Sequence, residues 1–443
     1  MSEGAVEKAA AAGPAKRSGA SIPGQRASLR SAAALAAGRI AAAASRRTDR
    51  GSGTMIGGRV ALRLDPAVLA ALARGRDTAL VTGTNGKSTV TALLAAALSP
   101  GGAVVTNGTG ANMPDGIVTA LAADRTSPLA ALEVDEVYLR PVAEATQPRV
   151  VIALNASREY TRGVSLAATL AHWRGVAAEL PTDAVALVNA DDPLVAWAFE
   201  PAPRVVPVAG GLGWREDAAL CPACGAPHDW SGARWSCPGC GRSRPEPAWS
   251  VGGAAADGSW SIVHPGGSAQ VRPAVPGRTG PIGAAFALAA ADVLGVEIAA
   301  AASSVDAVLD VDGRYLPFPV GARHARLLML KNPAGWGEAI DLAVADDLPL
   351  VIAVDPFGPK DTTTMWEAPF TRLAGRTIPV TGGRAADALA VLEAAGVDAR
   401  EVTDPVAAVG AAGTTGTVVD EVVVACNYPA FRRLSKQFRA VLP

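Results

Sequence analysis

Thr78-Ala-Leu-Val-Thr-Gly-Thr-Asn-Gly-Lys-Ser-Thr-Val90 runs from a short apolar segment through a glycine-bearing turn into the Ala- and Leu-rich run that ends at Leu98. A buried strand, a turn with glycines and a helix start are the parts of a nucleotide-phosphate cradle. Gly83 and Gly86 let backbone N–H groups approach phosphate oxygens, the helix points its positive end at them, and Lys87 adds a formal charge. Thr84 and Asn85 complete the turn, and the hydroxyl of Ser88 or Thr89 is suited to hold Mg²⁺. The spacing departs from the general GxxxxGK[ST] loop, since only Thr84 and Asn85 separate the two glycines. A turn that uses glycine for geometry alone is the plainer alternative. Lys-Ser-Thr in register with the helix start argues for ATP instead.

Outward from this loop the pattern alternates. Strand candidates at 78–81, 102–105, 130–134, 150–154 and 184–188 are separated by helical stretches at 88–98, 114–122, 136–145 and 165–180. Such alternation predicts an α/β fold with a parallel sheet between helices, and ligands beyond the carboxyl ends of its strands. After a helix at about 281–295 the alternation resumes, with strands at 326–330, 348–354, 377–380 and 421–425 and helices near 335–345, 384–395, 404–411 and 429–441. We expect three parts. Residues 1–50 are a flexible lead with an amphipathic helix, 51–297 a central ATP-binding domain, and 298–443 a second α/β domain.

Composition excludes some functions. With 443 residues the chain exceeds one ordinary core. Aromatic residues make up 5%, too few for single-strand stacking platforms, and a net charge of −1 gives no pull towards nucleic acid. The apolar stretch 31–45 is interrupted by Arg39 and is too short to span a bilayer. A cytoplasmic location is expected, with peripheral contact at the inner membrane face as the alternative.

Residues 211–277 are rich in Gly, Pro, Trp and Cys and read as an insertion. Cys221-Pro-Ala-Cys224 and Cys237-Pro-Gly-Cys240 are two CxxC knuckles with twelve residues between them. Two such knuckles complete a tetrahedral thiolate site, most simply a structural zinc ribbon. An iron–sulfur cluster is the second option and a disulfide pair the third. His228 lies in the same segment, but four thiolates already satisfy a metal. Cys426 reads as packing at a strand end. Asn189 and Asp192 fit equally a nucleotide contact or the termination of a strand.

Taken in order, the loop 82–89, Ala111-Asn-Met-Pro-Asp-Gly116, Leu132-Glu-Val-Asp-Glu136, Asn189-Ala-Asp-Asp-Pro193, the four cysteines and Lys331-Asn-Pro-Ala-Gly335 resemble the Mur ligase superfamily. Within it they look most like the MurT branch of synthetase subunits. The resemblance covers nearly the whole chain and implies a central ATPase domain with a four-cysteine zinc-ribbon insertion, followed by a C-terminal α/β domain. It implies ATP, Mg²⁺ and Zn²⁺ as cofactors. The reaction it implies is phosphorylation of the α-carboxyl of D-isoglutamate in lipid II, then amidation with ammonia from a GatD-like glutaminase partner in a heterodimer. Glu133 matches the family's metal carboxylate, with Asp135 and Glu136 read as supporting or surface charges. Asn332 matches the adenine contact and Arg314 a phosphate-facing arginine. Asp361 matches the aspartate presented to the glutaminase histidine, with Glu367 as the second acid.

Several positions depart from the family pattern. In Asn155-Ala-Ser-Arg-Glu-Tyr-Thr-Arg-Gly163 the first acid is Glu159 and the second is replaced by Arg162. Gly280 and Gly283 stand where a Tyr-Asn motif is expected, Asp355 replaces an asparagine and Thr364 a tryptophan. These changes leave open a Mur-type ligase acting on another carboxylate, in the manner of folylpolyglutamate synthases. They also leave open a nucleotide-binding scaffold for a glutaminase-like partner.

Overall fold

The computed structural model describes residues 28–47, 54–108, 110–159, 163–309, 311, 317–357, 363–413 and 420–439. Two sheets dominate. The first is built from β1 (Asp77–Thr82), β2 (Val104–Thr106), β3 (Leu129–Glu133), β4 (Val150–Ala153), β5 (Val185–Asn189) and β6 (Val205–Ala209), which are all parallel. A small antiparallel hairpin, β7 (Asp229–Ser231) and β8 (Arg234–Ser236), follows. Then β9 (Trp249–Ala254), β10 (Trp260–His264) and β11 (Gly267–Val271) extend the first sheet, giving the order β11-β10-β9-β6-β5-β4-β1-β3-β2.

Val-, Leu- and Ala-rich strands buried on both faces account for the parallel part. Leu80, Leu132, Val151 and Val188 face one apolar layer, with helices Leu139–Thr146 and Leu166–Ala178. Val81, Ile152 and Leu187 face the other, with helices Lys87–Leu98 and Thr279–Val293. The second of these helices approaches the first so closely that a Cβ on Gly283 would lie 2.8 Å from Leu93 Cδ1. That contact is what a glycine does at this position.

Two features differ from the expectation drawn from the sequence. Only the first part of the 211–277 segment stands apart, because β9 pairs parallel with β6 and carries β10 and β11 into the main sheet. These strands have one polar face and interrupting glycines, so their periodicity is weak. Helix Ile298–Asp306, placed by the sequence in the second domain, buries Ala301, Ala302 and Val305 in the first domain's core.

The second sheet contains β12 (Pro317–Val320), β13 (Arg323–Met329), β14 (Leu350–Ala353), β15 (Thr377–Thr381), β16 (Asp398–Glu401) and β17 (Glu421–Cys426). Its order is β12-β13-β17-β14-β15-β16, parallel except for β12. Helices Pro333–Ala345 and Tyr428–Arg439 pack on its opposite faces. Ahead of the first sheet, helices Leu29–Arg47 and Thr54–Leu64 pack together, with Arg39, Arg46 and Arg47 exposed. Among the described residues, no helix is long and apolar enough to cross a membrane.

Candidate active site and cysteine cluster

Chain direction makes the site. From β1 the chain moves to β3 and β2 on one side, whereas β4 lies on the other. The loops leaving β1 and β4 therefore flank a crevice at the carboxyl end of the sheet, where an open α/β sheet binds its ligand. Thr82-Gly83-Thr84-Asn85-Gly86 leaves β1 there. Gly86 is left-handed at φ +82° and directly precedes helix Lys87–Leu98. Only a residue without Cβ turns there at no cost.

The segment after β4 clamps this turn. Asn155 accepts from the Asn85 N–H at 2.8 Å and donates back to the Asn85 carbonyl at 3.0 Å. The Thr84 hydroxyl accepts from Ser157 N–H at 3.0 Å. The loop is thus fixed before any ligand arrives, which spares a bound phosphate the entropy of ordering it.

Three buried charges sit at the turn. Lys87 donates to the Gly83 carbonyl and lies 3.2 Å from Glu136 Oε2, both side chains being less than one-tenth exposed. Ser88 Oγ donates to Glu133 Oε2 at 2.8 Å, and Asn112 donates to Glu133 Oε1 at 2.9 Å. Glu133 is in register with Val81, so the pairing of β3 with β1 places its carboxylate beside the loop. Asn107 holds its backbone on both sides, at 2.8 Å each. Thr89 is buried next to Ser88.

Of the two places expected for Glu136, a supporting or a surface charge, the structure has it in the first: it is a buried partner of Lys87, and Trp173 Nε1 donates to its carbonyl at 3.2 Å. Burial alone would raise its carboxyl, but Lys87 and Lys331 outweigh that and hold it below the ordinary value.

The second domain reaches this crevice. Asn332 is fully buried and caps helix Pro333–Ala345, accepting from Gly335 N–H at 2.9 Å. The same oxygen accepts from Asn85 Nδ2 at 3.2 Å, while Asn332 Nδ2 is buried with no hydrogen-bond partner. A buried amide N–H without an acceptor costs about 1–3 kcal/mol, so Asn332 Nδ2 is a candidate contact for a ligand acceptor atom. Lys331, one residue earlier, pairs with Glu159 at 2.7 Å. Arg158, beside Glu159, bonds to Asp217 and, at 2.6 Å, to Glu367 of the second domain. Neighbouring residues after β4 therefore make two ionic links across the seam. Arg314 and Asp361 lie outside the described residues, as do Tyr160, Thr161 and Arg162.

Other candidates are structural in this setting. Asp192 caps helix Pro193–Phe199, accepting from Leu194 and Val195 N–H groups, and also accepts from Ala156 N–H. Burial pushes its carboxyl up to about 6 against those three donors. Asn189 accepts from Asp191 N–H. Both side chains bond to backbone groups at the end of β5. Asp355 is bound by both donors of Arg433, which outweighs burial and keeps its carboxyl low. Cys426 is buried at the end of β17, and burial pushes its thiol up, so it is packing.

The cysteines form two matching knuckles. Gly225 N–H donates to the Cys221 carbonyl at 2.8 Å, and Gly241 N–H to the Cys237 carbonyl at 2.9 Å. The four sulfurs all lie within 4.8 Å of one another, a cluster that fits a metal ion. His228 turns its Nδ1 to the Ala218 carbonyl at 2.7 Å and is not part of the cluster. The ribbon docks on the end of β5. Trp235 Nε1 donates to the Ala190 carbonyl at 2.9 Å, and Arg244 pairs with Asp191 at 2.6 Å.

Residues 81–209 match the Mur ligase middle domain family. The central part of the chain is thus similar to a Mur ligase middle domain, and the two-sheet architecture is of the Mur ligase type. MurF from Acinetobacter baumannii has a similar structure, with a TM-score of 0.64 at 14% identity, covering 87% of this chain and 80% of that one. A pseudomurein peptide ligase type C from Methanothermus fervidus gives 0.62 at 17% identity, with coverage of 83% and 79%. Among curated proteins the chain is similar to the MurT subunit of a glutamine-hydrolysing lipid II isoglutaminyl synthase from Streptococcus pneumoniae. That likeness is 27% identity over 393 residues, covering 80% of this chain and 85% of the relative.

Proposed function

We propose that this chain is an ATP-dependent carbon–nitrogen ligase of peptidoglycan biosynthesis that converts the D-isoglutamate α-carboxyl of lipid II to D-isoglutamine. The observation that carries the reading is the phosphate-type turn Gly83–Gly86, clamped by Asn155, followed by Lys87 at a helix start and met by Asn332 of the opposite domain, whose oxygen accepts from Asn85. The likeness to the pneumococcal subunit supports the choice of acceptor and of partner.

Forming an acyl phosphate brings a carboxylate against the γ-phosphate, so cations must neutralise the approach. Lys87 is placed to exchange the Gly83 carbonyl and Glu136 for phosphate oxygens with a rotation of its own side chain. Helix Lys87–Leu98 adds its N-terminal N–H groups and dipole. Ser88 and Glu133, bonded to each other at 2.8 Å, are the residues that would hold Mg²⁺, a hard ion that prefers such oxygens. Magnesium there would draw charge from the phosphate oxygens. The carboxylate oxygen attacks Pγ as the bond to ADP breaks; ammonia then attacks the carbonyl carbon and phosphate leaves.

Cys221, Cys224, Cys237 and Cys240 would hold a closed zinc site that fastens the ribbon and takes no part in the reaction. Arg314 is the candidate to meet the phosphates as the domains close. Asp361 is the candidate to complete the active site of a GatD-like glutaminase that supplies the ammonia. The location that fits such a substrate is the cytoplasmic face of the membrane. The test is to incubate the chain with its glutaminase partner, glutamine, Mg-ATP and lipid II and to weigh the product. A mass change of one hydroxyl replaced by one amine is expected; unchanged lipid II with an active partner overturns the reading.

A further inference from the structure

The ion pair of Lys331 with Glu159 has no part in the mechanism so far. Lys331 belongs to the second domain and Glu159 to the segment after β4, yet their charged atoms lie 2.7 Å apart, with Glu159 only 14% exposed. Lys87 and Glu136 are near enough for their charges to act on Lys331. Two ammonium groups and two carboxylates thus meet beside the phosphate turn. A small cleft bounded by Thr84, Glu136, Ser157, Glu159, Val164 and Leu166 opens next to them.

Transfer of a phosphoryl group to a carboxylate needs one cation for the phosphate and another for the acceptor. Lys87, at the start of its helix, belongs to the phosphate. Lys331 is the second ammonium, and its present partner is a carboxylate, the same chemical group as the acceptor. Arg158 ties the adjoining backbone to Asp217 through both its N–H and its side chain.

We propose that Lys331 binds the acceptor carboxylate, and that Glu159 holds that place in the ligand-free protein until a substrate carboxylate displaces it. This rests on the carboxylate-activating reading given above and names the residue that recognises the acceptor. Burial and the neighbouring Lys87 lower the pKa of the Lys331 ammonium, and Glu159 and Glu136 oppose them, so a carboxylate partner is what Lys331 needs at this place. The ligand class is a peptide containing a γ-linked glutamyl residue that keeps its own free α-carboxylate, the group that the Glu159 side chain shares with it.

Calorimetry with the full chain tests this without turnover. The probe is a γ-D-glutamyl tripeptide with a free α-carboxylate, titrated in the presence of Mg²⁺ and a non-hydrolysable ATP analogue. Glu159→Gln removes the competing charge and should tighten the probe by about tenfold, Lys331→Met should weaken it by at least about tenfold, and Lys331→Arg should stay within about threefold of the parent. Analogue affinity should hold within about threefold in all three. Probe binding unchanged or weakened in Glu159→Gln, or retained in Lys331→Met, overturns the proposal. Should Lys331→Met also lose the analogue, the Glu159→Gln and Lys331→Arg results decide. A peptide that binds as expected but is not amidated would instead count against the ligase reading alone.

Discussion

Glu136→Gln should move stability and nucleotide affinity in opposite directions. Lys87 Nζ and Glu136 Oε2 are 3.2 Å apart with both side chains buried. At an effective dielectric near 20, two unit charges at that distance attract by about 5 kcal/mol. Glutamine keeps the shape and one acceptor for Lys87, so the loss should fall at the low end for a broken buried pair, about 3 kcal/mol. For a domain of this size that corresponds to a melting point lower by roughly 6–12 °C. Nucleotide binding responds the other way. In the parent Lys87 must leave Glu136 to reach a phosphate; in the variant it leaves only a neutral amide, and Kd for Mg-ATP should tighten by about tenfold, or 1.4 kcal/mol. Thermal melts with and without Mg-ATP, together with calorimetry, read both effects, and the melting-point gap should narrow at saturating nucleotide. An unchanged melting point would mean that the pair is not a buried charge pair in solution. Weaker ATP binding would mean that Glu136 itself serves the ligand, and the account of Lys87 would be wrong.

Two further outcomes follow from the same geometry. The Asp192 carboxyl is raised from 3.8 to about 6, so between those values the folded state binds more protons than the unfolded one. Stability therefore falls as pH rises through that window, and the full penalty, about 3 kcal/mol, is present above it. Asp192→Asn keeps the cap to Leu194 and Val195 but sets an NH₂ against the Ala156 N–H, which costs about 1 kcal/mol, leaving the variant about 2 kcal/mol more stable at neutral pH. Melts of both proteins across the window check this, and parallel pH curves would refute it. Cys237→Ser, or removal of metal with a chelator, should release the Trp235 and Arg244 anchors on β5. New protease cuts should then appear within 211–248 while Mg-ATP affinity changes by less than about threefold; resistance to cleavage after metal removal would show that the ribbon holds without an ion.

What could be read from the sequence was local. The turn from Gly83 to Gly86 with Lys87 behind it, the four cysteines at their spacing and the alternation from 78 to 188 each carry their information within a few residues, and the fold keeps all three. What could not be read depends on which segments meet. Glu136 looks like a strand-end acid until β3 pairs with β1 and Trp173 covers it. Glu159 and Lys331 are far apart in the chain and come together only because the second domain closes on the first. That strands β9 to β11 join the main sheet was not legible, because glycines and polar faces weaken their pattern. The Ala-rich helix Ile298–Asp306 carries no signal of which domain it packs on. Asn332 was legible only through family resemblance; its unpartnered amide is a property of the folded seam.

The central claim is that Lys87 and its turn receive the phosphates of a nucleotide. Isothermal titration of the folded, zinc-loaded chain with Mg-ATP, alongside Lys87→Met, tests it most directly. The account predicts saturable binding at one site by the parent and a loss of at least about a hundredfold in the variant, equal to roughly 2.7 kcal/mol. Equal affinity in the two proteins, or no heat from the parent at any concentration, would contradict it.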